Sequence, residues 1–245
     1  MKIVGVIPAR YKSTRFPGKP LVPLLGKPMV VWVAEIAAKA LGENNVFVAT
    51  DDQRIVDVVS PHGFQTVMTS DNALTGTDRM FEVARTVKAD MYINIQGDEP
   101  LLDPVDILKV IECKKNYPSE VVNGMCRLKV TDDPSNINFP KVITTEDLRM
   151  VYMSRLPIPG FKSKENVPKV FWRQVCIYAL SKEQLMAFGE FGRKSYLESL
   201  EDIEMLRFLE LGIFIRMVEI KGSPYAVDVP DDVRIVEEIL EKKYK

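Results

Sequence analysis

Apolar runs that alternate with helix-length segments constrain the fold of this chain more than any other feature. The apolar runs are residues 3–7, 46–49 and 91–95, and the helical segments are residues 29–40, 77–87 and 104–115. The runs are continuously apolar, as expected for strands buried on both faces. Strands that alternate with helices predict right-handed βαβ crossovers, so we predict an α/β fold with a mostly parallel sheet. Ligands of such sheets bind beyond the carboxyl ends of the strands.

The pattern changes after about Pro118 to shorter β-like pieces separated by proline-containing loops. We predict a single domain over residues 1–245, in which residues 1–117 and 212–245 form the core and residues 118–211 form a smaller mixed lobe. Within that lobe the periodicity predicts one amphipathic helix over residues 198–211. A closing helix is predicted over residues 231–243.

Composition excludes several classes of protein. The chain is 46% hydrophobic and 27% charged, which is typical of a globular protein and not of a disordered one. Its 33 Lys and Arg residues against 34 Asp and Glu residues leave none of the basic excess that phosphate-driven nucleic-acid binding requires. We therefore predict no nucleic-acid partner, and a charged ligand must be met by a local cluster.

The cysteines and the single histidine predict neither a disulfide framework nor a zinc site. Cys113, Cys126 and Cys176 are an odd number at wide spacing, and His62 is the only histidine. Free thiols favour a reducing cytoplasm. Because no apolar run approaches membrane-spanning length and Pro8 and Arg10 interrupt the first one, we predict no membrane insertion and no signal peptide.

Four cations follow the first strand within ten residues: Arg10, Lys12, Arg15 and Lys19. A solvated basic loop is one interpretation. The glycines and prolines among these cations favour another, a stiff loop that cradles a polyphosphate. Neither a Walker A motif nor a G-x-G-x-x-G motif occurs here, which weakens P-loop kinase and dinucleotide-dehydrogenase interpretations.

Carboxylates at the ends of two segments suggest a magnesium site. Asp98 and Glu99 follow the apolar run of residues 91–95 after two intervening residues. Mg²⁺ prefers oxygen and is usually held by one or two carboxylates together with the phosphates of a substrate. Asp228, just before the last predicted helix, is either a second ligand or a helix N-cap, and its spacing alone favours the cap.

Two other segments carry weaker signals. Thr77, Asp78 and Arg79 begin a helix, where Asp78 complements the helix dipole, but they also suit a nucleotide. Arg155 is either a surface charge or a bidentate partner for an acidic substrate.

Five motifs, in order, resemble the 3-deoxy-manno-octulosonate cytidylyltransferases, also called CMP-Kdo synthetases, over essentially the whole chain. The motifs are IPARYKSTRFPGKPL at residues 7–21, ATDD at 49–52, GTDR at 76–79, QGDEP at 96–100 and VDVPDD at 227–232. The resemblance implies a Rossmann-like nucleotidyltransferase fold with a small mixed dimerisation and sugar lobe. It also implies a homodimer that uses Mg²⁺ to transfer CMP from CTP to an acidic 2-keto sugar, with release of pyrophosphate.

Site residues follow from the same resemblance. The implied catalytic residues are Arg10, Lys19, Asp98 and Asp228, of which Asp98 and Asp228 hold the metal. The implied CTP-binding residues are Pro8, Ala9, Arg10, Arg15, Lys19, Thr77, Asp78, Arg79 and Gln96. The implied sugar-binding residues are Arg155, Gln174, Tyr178, Glu204 and Met205.

Most departures from the family pattern lie on the sugar side; another is Ala73, which stands where the family usually has His. Gln174, Cys176 and Met205 stand where the family usually has His, Gly and Gln. The resemblance implies that the acceptor is Kdo. Because a pocket with different hydrogen-bonding groups selects a different substrate, a close variant such as 8-amino-Kdo is the other acceptor that we expect. The product would enter lipopolysaccharide or capsule synthesis. The alternatives are a nucleotidyltransferase for a sialic-acid-like sugar or another acceptor, and a catalytically silent nucleotide-binding protein.

Overall fold

The structure is a computed structural model that describes residues 1–12, 16–222 and 225–244. Its described strands are β1 Ile3–Ala9, β2 Pro23–Leu24, β3 Lys27–Pro28, β4 Val46–Thr50, β5 Gln65–Met68, β6 Met91–Ile95, β7 Val121–Arg127, β8 Lys141–Thr144, β9 Met150–Ser154, β10 Trp172–Leu180 and β11 Ile215–Glu219. Its described α-helices are α1 Met29–Leu41, α2 Gln53–Val59, α3 Gly76–Thr86, α4 Pro104–Asn116, α5 Lys182–Glu190, α6 Tyr196–Glu201, α7 Met205–Glu210 and α8 Pro230–Tyr244.

The main sheet has the strand order β11-β7-β10-β6-β1-β4-β5. Neighbours are parallel except where β10 pairs antiparallel with β6 and with β7, so β10 alone opposes the direction of the other six strands in this path. The predicted α/β fold with a mostly parallel sheet is confirmed. The carboxyl ends of β1, β4 and β6 therefore meet at one edge of the sheet.

The segment 118–211 is built into this sheet more closely than its sequence indicates. Its strands β7 and β10 lie between β11 and β6, while β8 and β9 extend as an antiparallel pair from one end of β10. The single helix predicted over residues 198–211 is two helices, because Asp202 adopts a left-handed conformation with φ 50° between α6 and α7.

Side chains from both faces of the sheet are buried, which explains the continuously apolar strands. Ile7 and Ile93 pack with α1, α2 and α4 on one face, whereas Val6 and Tyr92 pack with α3, α5 and α7 on the other. A third cluster joins α8 to the region after the first loop through Val236, which is fully buried. This packing brings the chain before α8 back to the carboxyl edge of the sheet.

No helix within the described ranges is both long enough and apolar enough to cross a bilayer.

Candidate active site

Lys19, Asp98 and Asp228 meet at the carboxyl edge of the sheet. The Lys19 Nζ lies 2.7 Å from an oxygen of Asp98 and 3.7 Å from an oxygen of Asp228. It also donates to the backbone carbonyl of Val227 at 2.9 Å. The three side chains come from the loop after β1, the loop after β6 and the segment before α8, so only the tertiary structure brings them together.

The local backbone explains how Lys19 reaches this position. Gly18 has φ 70°, and its N–H donates to the carbonyl of Tyr11 at 2.9 Å, which closes the first loop. The left-handed conformation at this position favours glycine. Close by, the N–H of Val227 donates to the carbonyl of Asp98 at 3.0 Å and ties the segment before α8 to the end of β6.

Asp228 lies between Lys19 and the start of α8. The carboxylate that accepts the backbone N–H groups at the start of α8 belongs to Asp232, which bonds Asp228 at 2.7 Å and Val229 at 2.9 Å. The Asp228 side chain lies 3.7 Å from the Lys19 Nζ. Both the metal-ligand and the N-cap interpretations of Asp228 stay predictions.

The two carboxylates suit a magnesium ion that substrate phosphates help to bind. Both converge on one ammonium and remain partly exposed, with 27% of the Asp98 side chain and 36% of the Asp228 side chain accessible. In the described ranges no group of three or more His, Cys, Asp or Glu residues forms a metal cage. Mg²⁺ is usually held by one or two carboxylates together with the phosphates of a substrate.

Pro8, Ala9 and Arg10 lie at the end of β1, beside this group. Pro8 is paired with Ala49 of β4, and Arg10 is exposed beyond the strand. Gly97 packs so closely that a Cβ atom there would lie 3.1 Å from the Pro8 carbonyl oxygen. The segment after β6 therefore approaches the end of β1 closely, which explains why residue 97 is a glycine. Arg15, which is also predicted to bind CTP, lies outside the described residues.

The start of α3 is anchored by Glu204, at the start of α7. One carboxylate oxygen of Glu204 accepts the N–H of Gly76 at 2.9 Å, and the other accepts the hydroxyl of Thr77. Burial raises the pKa of this carboxyl. A Cβ atom on Gly76 would lie 3.2 Å from Nε2 of Gln96 and 3.4 Å from Pro8, so β1, β6 and α3 meet here.

Asp78 and Arg79 have partners inside the protein. Asp78 receives two hydrogen bonds from the fully buried Arg207, which also pairs with Glu198 through two further bonds. Arg79 is buried and donates to Asp51 at 3.3 Å and to Thr69 and Ser70. Both side chains hold together the wall of the predicted nucleotide pocket.

The acceptor residues predicted on β10 form a buried polar row. Gln174 Nε2 donates to Oδ1 of Asn123 at 3.0 Å and to the hydroxyl of Tyr178 at 3.3 Å. Burial raises the pKa of Tyr178, so its hydroxyl remains a donor at neutral pH. Glu99 and Asp98 contribute negative charge near this row.

Two other predicted acceptor residues are placed differently. Met205, the first residue of α7, is fully buried in the hydrophobic core. Arg155 donates to the backbone carbonyls of Glu201, Asp202 and Ile137, and so covers the carboxyl end of α6. These contacts do not direct either side chain toward Lys19, Asp98 and Asp228.

Comparison with known proteins shows which protein family this chain belongs to. A family model described as cytidylyltransferase matches residues 4–220. The chain belongs to the cytidylyltransferase family. The predicted nucleotidyltransferase activity and the predicted family are thereby confirmed.

Individual relatives of this cytidylyltransferase cover nearly its whole length. A 3-deoxy-manno-octulosonate cytidylyltransferase of Trichlorobacter lovleyi is 40% identical over 97% of the chain and 98% of its own length. An 8-amino-3,8-dideoxy-manno-octulosonate cytidylyltransferase of Shewanella frigidimarina is 38% identical over 96% of both chains. A solved CMP:2-keto-3-deoxy-manno-octonic acid synthetase in complex with CTP superposes with a TM-score of 0.91 at 34% identity, over 99% of this chain and 100% of that one.

Sequence reasoning missed several residues of the cytidylyltransferase site. Asn123 and Glu198 are buried hydrogen-bonding partners of predicted site residues, yet nothing in their local sequence distinguishes them. Cys176, between Gln174 and Tyr178 on β10, is another residue that the list of predicted site residues omits. The sequence does carry one signal for Cys176, because this residue stands where the family usually has Gly.

Proposed function

We propose that this cytidylyltransferase transfers CMP from CTP to a 2-keto-3-deoxy sugar acid, either Kdo or its 8-amino variant, and releases pyrophosphate. The observation that carries the proposal is the convergence of Lys19, Asp98 and Asp228 at the carboxyl edge of the sheet. Relatives that share this length are named for these two acids, and the similar solved structure is a complex with CTP. The product would serve lipopolysaccharide or capsule synthesis.

The reaction requires positioning and charge neutralisation more than acid–base chemistry. The anomeric hydroxyl oxygen of the acid forms a bond to the α-phosphorus, while the bond from that phosphorus to the bridging oxygen breaks and pyrophosphate leaves with the electron pair. The hydroxyl proton passes to solvent. Cations placed at the leaving group stabilise the charge that develops there, and this is the role proposed for Lys19 and Arg10.

Asp98 and Asp228 are the residues that would hold Mg²⁺. The bound ion would withdraw charge from the phosphate oxygens. The chain's own contribution is to hold both carboxylates close together, since Lys19 pairs with them and the Val227 N–H fixes the backbone of Asp98.

The nucleotide is proposed to lie along the ends of β1 and β6 and the start of α3. Glu204 already satisfies the N–H of Gly76 and the hydroxyl of Thr77, so it shapes this wall and need not contact CTP itself. Gln96, close to Gly76, is the polar side chain at the centre of the wall. The acid is proposed to lie against the neighbouring row that contains Gln174 and Tyr178.

A homodimer in the cytoplasm is proposed as the working form. Large apolar side chains are exposed on the segment 118–211: Val151, Leu156, Phe161, Tyr196 and Leu200. Exposed apolar side chains of this kind fit a surface that a second copy covers. Free cysteines and a nucleoside triphosphate substrate both fit a reducing cytoplasm.

The test is pyrophosphate release from CTP and Mg²⁺ with a panel of acceptors: Kdo, 8-amino-Kdo and a sialic acid. We expect turnover with one or both octulosonic acids and little with the sialic acid. Asp98→Asn and Asp228→Asn should each lower turnover by roughly 10²-fold or more, the scale of losing one preorganised charged group. The exposed Asp57→Asn is the matched control and should leave the rate unchanged.

Turnover with the sialic acid alone would contradict the proposed acceptor. Near-normal rates in both site variants would contradict the metal assignment.

A further inference from the structure

The ring of Tyr11 packs against Gly18, the residue directly before Lys19. A Cβ atom on Gly18 would lie 3.3 Å from both Cζ and Oη of Tyr11, closer than an ordinary side-chain contact. The Gly18 N–H also donates to the Tyr11 carbonyl at 2.9 Å, so both the ring and the backbone of Tyr11 contact this glycine. A short 3-10 helix, Lys19–Leu21, begins at the next residue. The placement of the Lys19 backbone therefore depends on Tyr11.

This contact matters because Gly18 has no side chain of its own to restrain it. Its φ of 70° favours glycine, and glycine has the greatest conformational freedom of any residue. The Lys19 ammonium lies 2.7 Å from Asp98 at the proposed reaction centre. A displacement of about 1 Å in such a site can lower a rate by about 10²-fold. Restraint of Gly18 by a neighbouring side chain thus keeps Lys19 beside Asp98.

Arg54, in the first turn of α2, covers the Tyr11 ring. Its Cζ atom lies 3.4 Å from the ring centre, which places the guanidinium over the face of the ring. A planar guanidinium stacks well on an aromatic face. Tyr11 also packs against the buried cluster that α1, α2 and α4 form with one face of the sheet. The ring is therefore held by contacts with α2, with the core and with Gly18.

Asp52 fixes the position of Arg54. The Nε and Nη2 atoms of Arg54 donate to the two carboxylate oxygens of Asp52 at 2.8 Å and 2.6 Å. One of these oxygens also accepts the backbone N–H of Arg54 at 3.0 Å, as the N-cap of α2. A bidentate pair of this kind fixes the orientation of the guanidinium and neutralises its charge. Arg54 is thus better suited to hold the Tyr11 ring than to bind a phosphate.

We propose that Tyr11 is a positioning residue for the reaction: its ring, covered by Arg54, restrains Gly18 and so aligns Lys19 with the triphosphate of CTP. This inference rests on the proposed function, in which Lys19 contacts the pyrophosphate part of CTP. The ring acts by packing, so Tyr11→Phe preserves its effect. Because CMP lacks the β- and γ-phosphates, its binding does not depend on this alignment.

The test measures the Kd of CTP and of CMP by isothermal titration in the presence of Mg²⁺. We expect Tyr11→Ala to weaken CTP binding about tenfold, because a misplaced Lys19 loses much of its charge-assisted hydrogen bond, and to change CMP binding less than about twofold. Tyr11→Phe should bind CTP as the unaltered protein does. Phe191→Ala is the matched control, since Arg193 covers the ring of Phe191 at 4.4 Å in the segment after α5.

Arg54→Ala tests the same contact from its exposed side, since 57% of the Arg54 side chain is accessible and its removal leaves the core intact. It should weaken CTP binding about two- to fivefold, the scale of an exposed cation–π contact, with Arg193→Ala as its control. Added to Tyr11→Ala, which removes the ring, Arg54→Ala should have no further effect. A loss that persists there would make Arg54 a direct ligand of CTP and overturn the inference.

The decisive comparison combines Tyr11→Ala with Lys19→Ala. Residues that act through one another give losses that do not add, so Tyr11→Ala should weaken CTP binding less than about twofold once the Lys19 ammonium is removed. Additive losses, equal losses for CTP and CMP, or a Tyr11→Phe variant as weak as Tyr11→Ala would each overturn the inference. Since these titrations need no acceptor, absence of turnover with every acid would contradict the proposed function alone, whereas absence of CTP binding to the unaltered protein would contradict both.

Discussion

At the scale of single residues, Lys19 joins the parts of the site that the chain supplies from distant positions. Only 16% of its side chain is exposed, and its ammonium neutralises Asp98 at 2.7 Å. Because a charged hydrogen bond in such a partly desolvated position is stronger than one at the surface, Lys19 has a large electrostatic role. The same ammonium is the proposed partner of the pyrophosphate part of CTP.

Replacing this ammonium should affect the triphosphate more than the base or the ribose. We expect Lys19→Ala to weaken CTP binding by roughly 10- to 100-fold, the scale of a charge-assisted hydrogen bond, and to weaken CMP binding far less. Isothermal titration of both nucleotides, in the presence of Mg²⁺, measures the difference. Lys109→Ala, on the exposed face of α4, is the control. Equal losses for CTP and CMP would place Lys19 away from the β- and γ-phosphates.

At the scale of secondary-structure elements, α7 and its N-cap residue fix the start of α3 through two charged groups. Glu204 holds the N–H of Gly76, and Arg207 holds Asp78 and Glu198 together. Arg207 is fully buried and its guanidinium lies 3.7 Å from the ring centre of Phe188. Removing one partner from a buried ion pair leaves uncompensated charge, which costs more than the pair itself contributes.

Arg207→Met should therefore lower the free energy of unfolding by about 3–5 kcal/mol. Urea denaturation followed by circular dichroism measures this loss. Arg234→Met is the matched control, because Arg234 pairs with Glu238 on the exposed face of α8, where such pairs contribute about 0.3–0.5 kcal/mol. Similar losses in the two variants would show that the buried cluster does not hold α3 and α7 together.

At the scale of the whole molecule, the segment 118–211 exposes apolar side chains to solvent, whereas the side chains on both faces of the main sheet are buried. Leu156 is 67% exposed and Leu200 is 66% exposed, although both belong to a chain whose main sheet is buried on its two faces. A stable two-fold interface buries about 800 Å² on each partner. Side chains of this kind supply the apolar centre of such an interface.

Light scattering at micromolar concentration should give twice the mass of the chain. Leu156→Asp combined with Leu200→Asp should reduce that mass toward the monomer, because each would place a charge in the interface. Leu108→Asp is the control, since Leu108 is 47% exposed on α4, outside this segment. A monomer mass for the unaltered chain would refute the homodimer, and a dimer that resists the double change would place the interface elsewhere.

The sequence alone determined the features whose causes are local. The strand at 91–95 has the bounds that its apolar run predicts, and the cations between Arg10 and Lys19 do follow the first strand. The motifs led to the correct family because residues that hold one ligand recur at fixed positions along the chain. The helix predicted over residues 198–211 was wrong in its continuity, since periodicity does not reveal the left-handed turn at Asp202.

Only the tertiary structure decided the rest, because the contacts concerned join positions far apart in the chain. The placement of Asp228 beside Lys19 depends on α8 packing back across the first loop. The burial of Asn123 and the position of Cys176 depend on β10 lying between β6 and β7, where one bulge shifts the register. Such pairings gain their energy from burial and hydrogen bonds between distant segments, and these leave no periodic signal in either segment alone.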